Sequence, residues 1–151
     1  MAAYQTVVVG TDGSDSSYRA VDRAARIAAD SGATLVIACA YHPARAQDVA
    51  KAADELGADV AYQVVGSAPA EESVRTATER ARRAGAAEID TVVVDGEPVA
   101  TLTKVVAERS ADLLVVGNRG LNTFAGRILG SVPAEAARKA GVDVLIVHTT
   151  S

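Results

Sequence analysis

The sequence predicts a single α/β domain built on an open parallel β-sheet with helices on both faces. Short apolar runs alternate with longer amphipathic stretches along all 151 residues, an alternation typical of right-handed βαβ crossovers. The apolar runs show little alternation of apolar and polar residues, which favours strands buried on both faces. No linker, internal repeat or change of composition divides the chain, so residues 1–151 are taken as one domain.

Five apolar runs are predicted to be strands, because each is short and rich in β-branched residues. In chain order they span residues 6–9, 34–40, 89–94, 112–116 and 142–147. The stretches between and after them favour helices at residues 15–29, 46–56, 69–84, 98–108 and 133–140. Ser14 is expected to cap the first helix and Gly32 to end it. Residues 59–67 are either an extra strand or a connection.

Composition narrows the classes of function. Fifteen basic against 19 acidic residues give a net charge of −4, which argues against general binding to nucleic acid or to anionic membranes. The sequence contains neither a signal-peptide pattern nor an apolar stretch near the ~20 residues of a membrane span, so a cytoplasmic location is expected. The single cysteine, Cys39, lies in an apolar run and is expected to be a core residue. The two histidines, His42 and His148, are too scattered to indicate a metal site.

The main functional signal is a set of glycines near the C-terminal end. Gly117 and Gly120 follow the apolar run that ends at Val116, and after nine further residues Gly130 and Ser131 precede a helical stretch. Glycine lets the backbone approach a ligand closely, and a helix start offers unpaired N–H groups to an anion. This pattern predicts a cradle for phosphate groups, most readily those of a nucleotide.

A second candidate element follows the first strand, where Gly10, Thr11 and Asp12 stand at its carboxyl end. The Asp12 carboxylate can accept hydrogen bonds from a ribose or an adenine edge. It can equally turn the chain ahead of the first helix, and both roles stay open. Arg119, beside the glycines, either contacts a phosphate or is solvated. Residues 10–14 are not a P-loop, because no lysine followed by serine or threonine comes after the glycines. They are not a dinucleotide-binding fingerprint either, because the spacing G-x-G-x-x-G is absent.

The chain resembles the universal stress protein family over nearly its whole length. The resemblance rests on residues 7–14, on residues 113–117 and above all on the pattern G-x2-G-x9-G-[ST], which marks the ATP-binding branch of that family. It implies a Rossmann-like fold of the adenine nucleotide alpha hydrolase type with strand order 3-2-1-4-5. It also implies a cytoplasmic homodimer that pairs through the fifth strand, from Val142 to Val147.

The resemblance further implies a nucleotide site. ATP is the expected ligand, with Mg²⁺ brought by its phosphates. Thr11 and Ala40 depart from the residues common in the family, and the small Ala40 leaves room for AMP or cAMP. The residues implied for the site are Gly10, Thr11, Asp12, Ala40, Val116, Gly117, Arg119, Gly120, Gly130, Ser131 and Val132.

Other functions remain as alternatives. The chain can be a dimerising interaction module without nucleotide, or a slow ATP hydrolase. Nucleotidyl transferases of related fold carry H-x-G-H or S-G-G-x-D-S loops, and neither occurs here. A phosphoacceptor domain would use Asp12 and Asp95, but the lysine expected after the fifth strand is missing. We expect binding rather than catalysis, because no nucleophile and base share a credible location.

Overall fold

The computed structural model describes residues 3–41, 68–118 and 131–149, with Ala68, Ser131 and Val132 described only by their place in a helix. Within these ranges the chain forms one parallel sheet of five strands in the order β3-β2-β1-β4-β5. The strands are β1 Thr6–Gly10, β2 Thr34–Tyr41, β3 Glu88–Asp95, β4 Leu113–Gly117 and β5 Asp143–Val147. The helices are α1 Asp15–Ser31, α2 Ala68–Arg83, α3 Pro98–Glu108 and α4 Ser131–Lys139. The predicted fold class and strand order are confirmed.

Both faces of the sheet carry a hydrophobic core. On β1, Val7 and Val9 pack under α1 and α2, whereas Val8 points to the opposite face and packs under α3 and α4. This arrangement explains why β1 reads as a continuous apolar run, since neighbouring residues of a strand face opposite sides. Alanines such as Ala24 let α1 approach the sheet closely.

Burial on both faces is confirmed for β1, β2 and β4 but is wrong for the two edge strands. Asp90 and Thr91 of β3 are exposed, as are Asp143 and Ile146 of β5. An edge strand has a neighbour on one side only, so its side chains are less covered.

The two capping residues predicted for α1 are confirmed. The Ser14 hydroxyl accepts a hydrogen bond from the Ser17 N–H at 3.1 Å, and Gly32 takes a left-handed φ of 67° directly after the last turn. α1 therefore runs to Ser31, two residues past the predicted end. α3 spans Pro98–Glu108 as predicted, with the Glu97 side chain capping its start.

Other predicted boundaries shift by one or two residues, which is ordinary for helix and strand ends. α2 begins one residue before its predicted start and α4 two residues before. Asp112 is predicted inside the fourth strand but directly precedes it, and its carboxylate accepts the backbone N–H groups of Gln5 and Thr6 at 3.0–3.2 Å. The predicted helix 46–56 and the segment 59–67 lie outside the described residues. Among the helices of the described ranges, none is long and apolar enough to cross a membrane.

Candidate functional site

The carboxyl ends of β1 and β4 lie side by side at the point where the strand order reverses. Val7 pairs with Leu113 and Val9 with Val115 in parallel register, so both strands end at the same edge of the sheet. β1 connects outward to β2 on one side, and β4 connects outward to β5 on the other. Ligands of open α/β sheets bind in the crevice that opens at such a reversal. The same edge carries the predicted site residues that the structure describes: Gly10, Thr11, Asp12, Ala40, Val116 and Gly117.

Asp12 uses one carboxylate oxygen for the turn after β1. Its Oδ1 accepts the Ser14 N–H at 2.9 Å, which closes an Asx turn. Within the described residues, Oδ2 has no hydrogen-bond partner, and the side chain is half-buried. The structural role and the binding role considered for Asp12 therefore do not compete, because each needs a different oxygen.

Thr11 is buried and its side chain serves the turn. Its hydroxyl lies 2.7 Å from the Ser17 hydroxyl and accepts the Gly13 N–H at 3.1 Å. Because the Ser17 hydroxyl donates to the Ser14 carbonyl at 2.9 Å, Thr11 is the donor to Ser17. The Thr11 N–H donates to the Ala38 carbonyl at 3.0 Å, which continues the β1–β2 pairing one residue beyond β1. The role of Ser17 was not predicted from the sequence.

Gly13 allows α2 to pack against this turn. Its φ is +83°, and a Cβ added there would lie 2.4 Å from the Ser73 hydroxyl oxygen. Ser73 is itself fixed by donating to the Pro69 carbonyl at 2.9 Å in the first turns of α2. A side chain at position 13 would force Ser73 or α2 itself to shift, so glycine lets α2 pack against this turn. The sequence offered only the Asp-Gly pair as a signal for this contact.

Gly117 ends β4 in a crowded place. A Cβ on Gly117 would lie 3.3 Å from the Thr149 methyl carbon and 3.9 Å from the Ser16 carbonyl oxygen. The glycine therefore permits close approach of the C-terminal segment and of the start of α1. This is a packing reason for glycine at the position, in addition to the ligand approach that the sequence suggested.

Asn118 fastens the segment after β5 to the end of β4. Its backbone N–H donates to the Val147 carbonyl at 2.8 Å, and its Oδ1 accepts both the N–H and the hydroxyl of Thr149 at 2.8 Å. The Ser16 hydroxyl is hydrogen-bonded to the Thr149 hydroxyl, and Arg19 donates to the Thr149 carbonyl. We call Asn118, Thr149, Ser16 and Arg19 the C-terminal clasp. No motif in the sequence indicates this clasp, because it joins residues near the start of α1 to residues that follow β4 and β5.

Cys39 is a core residue, as predicted. It is 4% exposed, and burial, followed by the nearby Asp12 carboxylate, raises the pKa of its thiol to about 11. The thiol is therefore protonated near neutral pH and is a poor nucleophile.

Strand order contradicts the phosphoacceptor alternative. Asp95 ends β3, where it pairs with Tyr41 of β2, and β2 separates β3 from β1. Strands two places apart are roughly 10 Å apart, too far for Asp95 to join Asp12 in one acidic pocket. Among the described side chains, no group of three His, Cys, Asp or Glu could hold a metal ion.

Three predicted phosphate-site residues, Arg119, Gly120 and Gly130, lie outside the described residues. Ser131 and Val132 are the first two residues of α4, so a helix does begin where the sequence predicted one. The structure therefore gives atomic contacts for the part of the predicted site that would hold the nucleoside. For the part that would hold the phosphates it gives only the start of α4.

The model of the universal stress protein family matches residues 3–148. The chain belongs to the universal stress protein family. Universal stress protein Rv1636 of Mycobacterium tuberculosis strain H37Rv is 57% identical over 150 residues, which cover 99% of this chain and 100% of that protein. Its crystal structure matches this fold with a TM-score of 0.62 and 51% identity over 99% of each chain.

A second solved structure of the family is similar to this chain. It is a crystal structure of a universal stress protein in complex with cAMP, with a TM-score of 0.75 and 52% identity. The match covers 99% of this chain and 100% of the other. The fold and the family of this chain are thus shown by its own strand order and by close relatives.

Proposed function

We propose that this universal stress protein binds an adenine nucleotide in the crevice at the carboxyl ends of β1 and β4. The main observation is that these two strands end side by side where the strand order reverses, with Asp12 two residues beyond β1 and Gly117 at the end of β4. The relative crystallised with cAMP at 52% identity supports an adenine nucleotide as the ligand class. In the cell the protein would act as a nucleotide-dependent regulatory or nucleotide-sequestering module of the stress response.

Asp12 is proposed to receive the ribose. Its Oδ2 lacks a hydrogen-bond partner within the described residues and is an acceptor suited to a ribose hydroxyl. The backbone of Gly10 and Thr11 would line the pocket floor, and Ala40 would face the adenine. The small Ala40 side chain leaves room in the pocket.

The phosphates are proposed to lie at the start of α4. A helix start presents unpaired N–H groups and the positive end of the helix dipole. The roles of Gly117, Arg119, Gly120, Gly130, Ser131 and Val132 toward the phosphates rest on the resemblance and its G-x2-G-x9-G-[ST] pattern. ATP, AMP and cAMP all carry a phosphate for this position, and Mg²⁺ would enter only with the phosphates of ATP.

A homodimer through β5 is the second part of the proposal. β5 is an edge strand of the sheet, and Ile146 on it is 43% exposed. An apolar edge strand is an aggregation hazard unless another chain covers it. This observation also favours the alternative function, a dimerising module that works without nucleotide.

The protein is proposed to bind nucleotide rather than to turn it over, and to reside in the cytoplasm. The support for binding is the lack of a nucleophile and base pattern in the sequence, together with a cysteine held protonated by burial. Slow ATP hydrolysis remains the alternative, and release of phosphate from ATP over hours would distinguish the two.

Calorimetric titration with cAMP and with ATP, each with and without Mg²⁺, tests the proposal. The informative variant is Asp12→Asn, because the asparagine oxygen can still accept the Ser14 N–H while Oδ2 becomes an amide donor. We expect its affinity for nucleotide to fall on the order of tenfold or more.

Asp30→Asn is the matched control for this titration. It removes the same charge from the exposed far end of α1 and should bind like the wild type. Equal binding by Asp12→Asn would remove Asp12 from the site. Silence of the wild type with both nucleotides would favour the nucleotide-free module.

A further inference from the structure

A groove of about 280 Å³ lies between α1 and α2, away from the crevice at the carboxyl ends of the strands. Its lining residues are Asp22, Arg26, Arg80, Arg83 and Ala84. Three arginines against one aspartate make the groove basic, although the chain as a whole carries a net charge of −4. Asp22 offsets one of these charges through its ion pair with Arg80, so two arginine charges have no opposite charge among the described lining residues.

Arg80 is held in place before any ligand arrives. Its Nε and Nη2 donate to the two carboxylate oxygens of Asp22 at 3.0 and 2.6 Å. The guanidinium carbon lies 5.3 Å from the centre of the Tyr18 ring. Within the described residues the Nη1 group has no hydrogen-bond partner, so its N–H donors remain for a ligand. A guanidinium fixed in advance loses less conformational entropy when it binds.

Arg26 and Arg83 bring two further positive charges to the groove. Both are exposed, and neither forms an ion pair within the described ranges. The last turn of α2 contains Arg80 and Arg83, where basic residues stabilise the helix dipole. Stabilisation of a helix dipole does not account for Arg26, because Arg26 lies before the last turn of α1 and that turn contains no basic residue.

We infer that this groove is a second anion site, for a compact phosphate-bearing ligand of the diphosphate class. Arginine forks match phosphate oxygens in geometry and charge. Among the described lining residues only Ala84 is apolar, so the groove suits a charged group rather than the apolar anchors of a protein partner. The inference goes beyond the proposed nucleotide crevice, since it shares no residue with it.

Calorimetric titration of the full chain with inorganic pyrophosphate tests this site. We expect saturable binding that weakens as salt is raised, because the contacts are charged and partly exposed. The double variant Arg26→Gln/Arg83→Gln should bind pyrophosphate on the order of tenfold more weakly or worse. Its affinity for cAMP should equal that of the wild type, which separates this site from the crevice.

The matched control is Arg75→Gln/Arg138→Gln, which removes the same charge from exposed positions outside the groove. Equal loss of pyrophosphate binding in both double variants would mean a general charge effect and would overturn the inference, as would no loss in either. Repeating the titration with ADP in the Asp12→Asn background separates two sources of the ligand. Binding of ADP that depends on Arg26 and Arg83 points to a nucleotide-borne diphosphate, and binding of pyrophosphate alone points to the free anion.

Discussion

Asn118 Oδ1 accepts two hydrogen bonds from Thr149, one from its backbone N–H and one from its hydroxyl, each at 2.8 Å. The two residues are 31 positions apart and follow the neighbouring strands β4 and β5. Thr149 is 3% exposed, so these bonds are shielded from water. The contact ties the end of the proposed dimer strand to the end of the strand that borders the proposed nucleotide crevice.

Thr149→Val should destabilise the protein by about 1–3 kcal/mol, because at nearly unchanged volume it removes the hydroxyl that donates to Asn118 Oδ1 and bonds the Ser16 hydroxyl, both in part-buried contacts. Urea unfolding followed by circular dichroism measures the change. Thr103→Val is the control, since within the described residues the Thr103 hydroxyl bonds only carbonyls of its own helix. A loss no larger than that of the control would show that the clasp adds little to stability.

Gly13→Ala should cost more than Gly32→Ala, although both glycines have left-handed φ angles of +83° and +67°. An added Cβ meets nothing within 4 Å at Gly32 but meets the Ser73 oxygen at 2.4 Å at Gly13. We expect about 1 kcal/mol at Gly32 from backbone strain alone, and roughly 1–3 kcal/mol more at Gly13. Thermal unfolding compares the two variants.

Adding Ser73→Ala to the Gly13→Ala variant should restore part of the lost stability, because the clashing oxygen is removed. Lack of any rescue would mean that the cost at Gly13 comes from the backbone alone.

Titration of the Cys39 thiol should lower the free energy of unfolding at alkaline pH. Its pKa is raised from 9.0 to about 11 in the folded protein, so above pH 9 the unfolded chain loses its thiol proton while the folded chain keeps it. The contribution of Cys39 to the free energy of unfolding is fully present below pH 9. It falls as the pH rises towards 11, by an amount on the order of 2 kcal/mol.

Urea unfolding of wild type and Cys39→Ala at pH 8 and at pH 10.5 measures this contribution. The variant should lose less stability between the two values than the wild type does. The same loss in both proteins would assign the alkaline effect to other groups.

Ile146→Lys should yield a folded monomer if β5 forms the proposed dimer, because a charge on an edge strand opposes pairing with a second chain. Sedimentation velocity measures the state of assembly, and circular dichroism checks the fold. Thr91→Lys places the same charge on the opposite edge strand, β3, and should leave the assembly unchanged. A dimer that persists in the Ile146 variant would move the interface away from β5.

Much of the local structure was predictable because short-range physics decides it. The caps at Ser14 and Gly32 and the helix Pro98–Glu108 follow from residues within a few positions of each end. Edge exposure was only partly predictable, since Asp90 and Thr91 interrupt the apolar run of β3, whereas nothing in the sequence around Ile146 of β5 indicates that this side chain is exposed. Asp112 shows the same limit, because its partners Gln5 and Thr6 come from the start of the chain.

The candidate site, too, was predictable from the sequence only in part. The sequence pointed to Asp12 and to Gly117 through their place after apolar runs, but it left two roles open for Asp12. The structure assigns Oδ1 of Asp12 to the turn and leaves Oδ2 without a partner in the described chain, a distinction that requires side-chain geometry.

The sequence by itself determined the class of fold, the order of the elements along the chain and the family, because apolar periodicity, glycine positions and helix caps act locally. Only the tertiary structure decided that Gly13 makes room for Ser73, that Thr149 closes onto Asn118, and that Arg26 and Arg83 converge beside Arg80. Gly13 and Ser73, Asn118 and Thr149, and Arg26 and Arg80 are each more than 30 positions apart, and packing of whole helices and strands, rather than any local preference, brings them together.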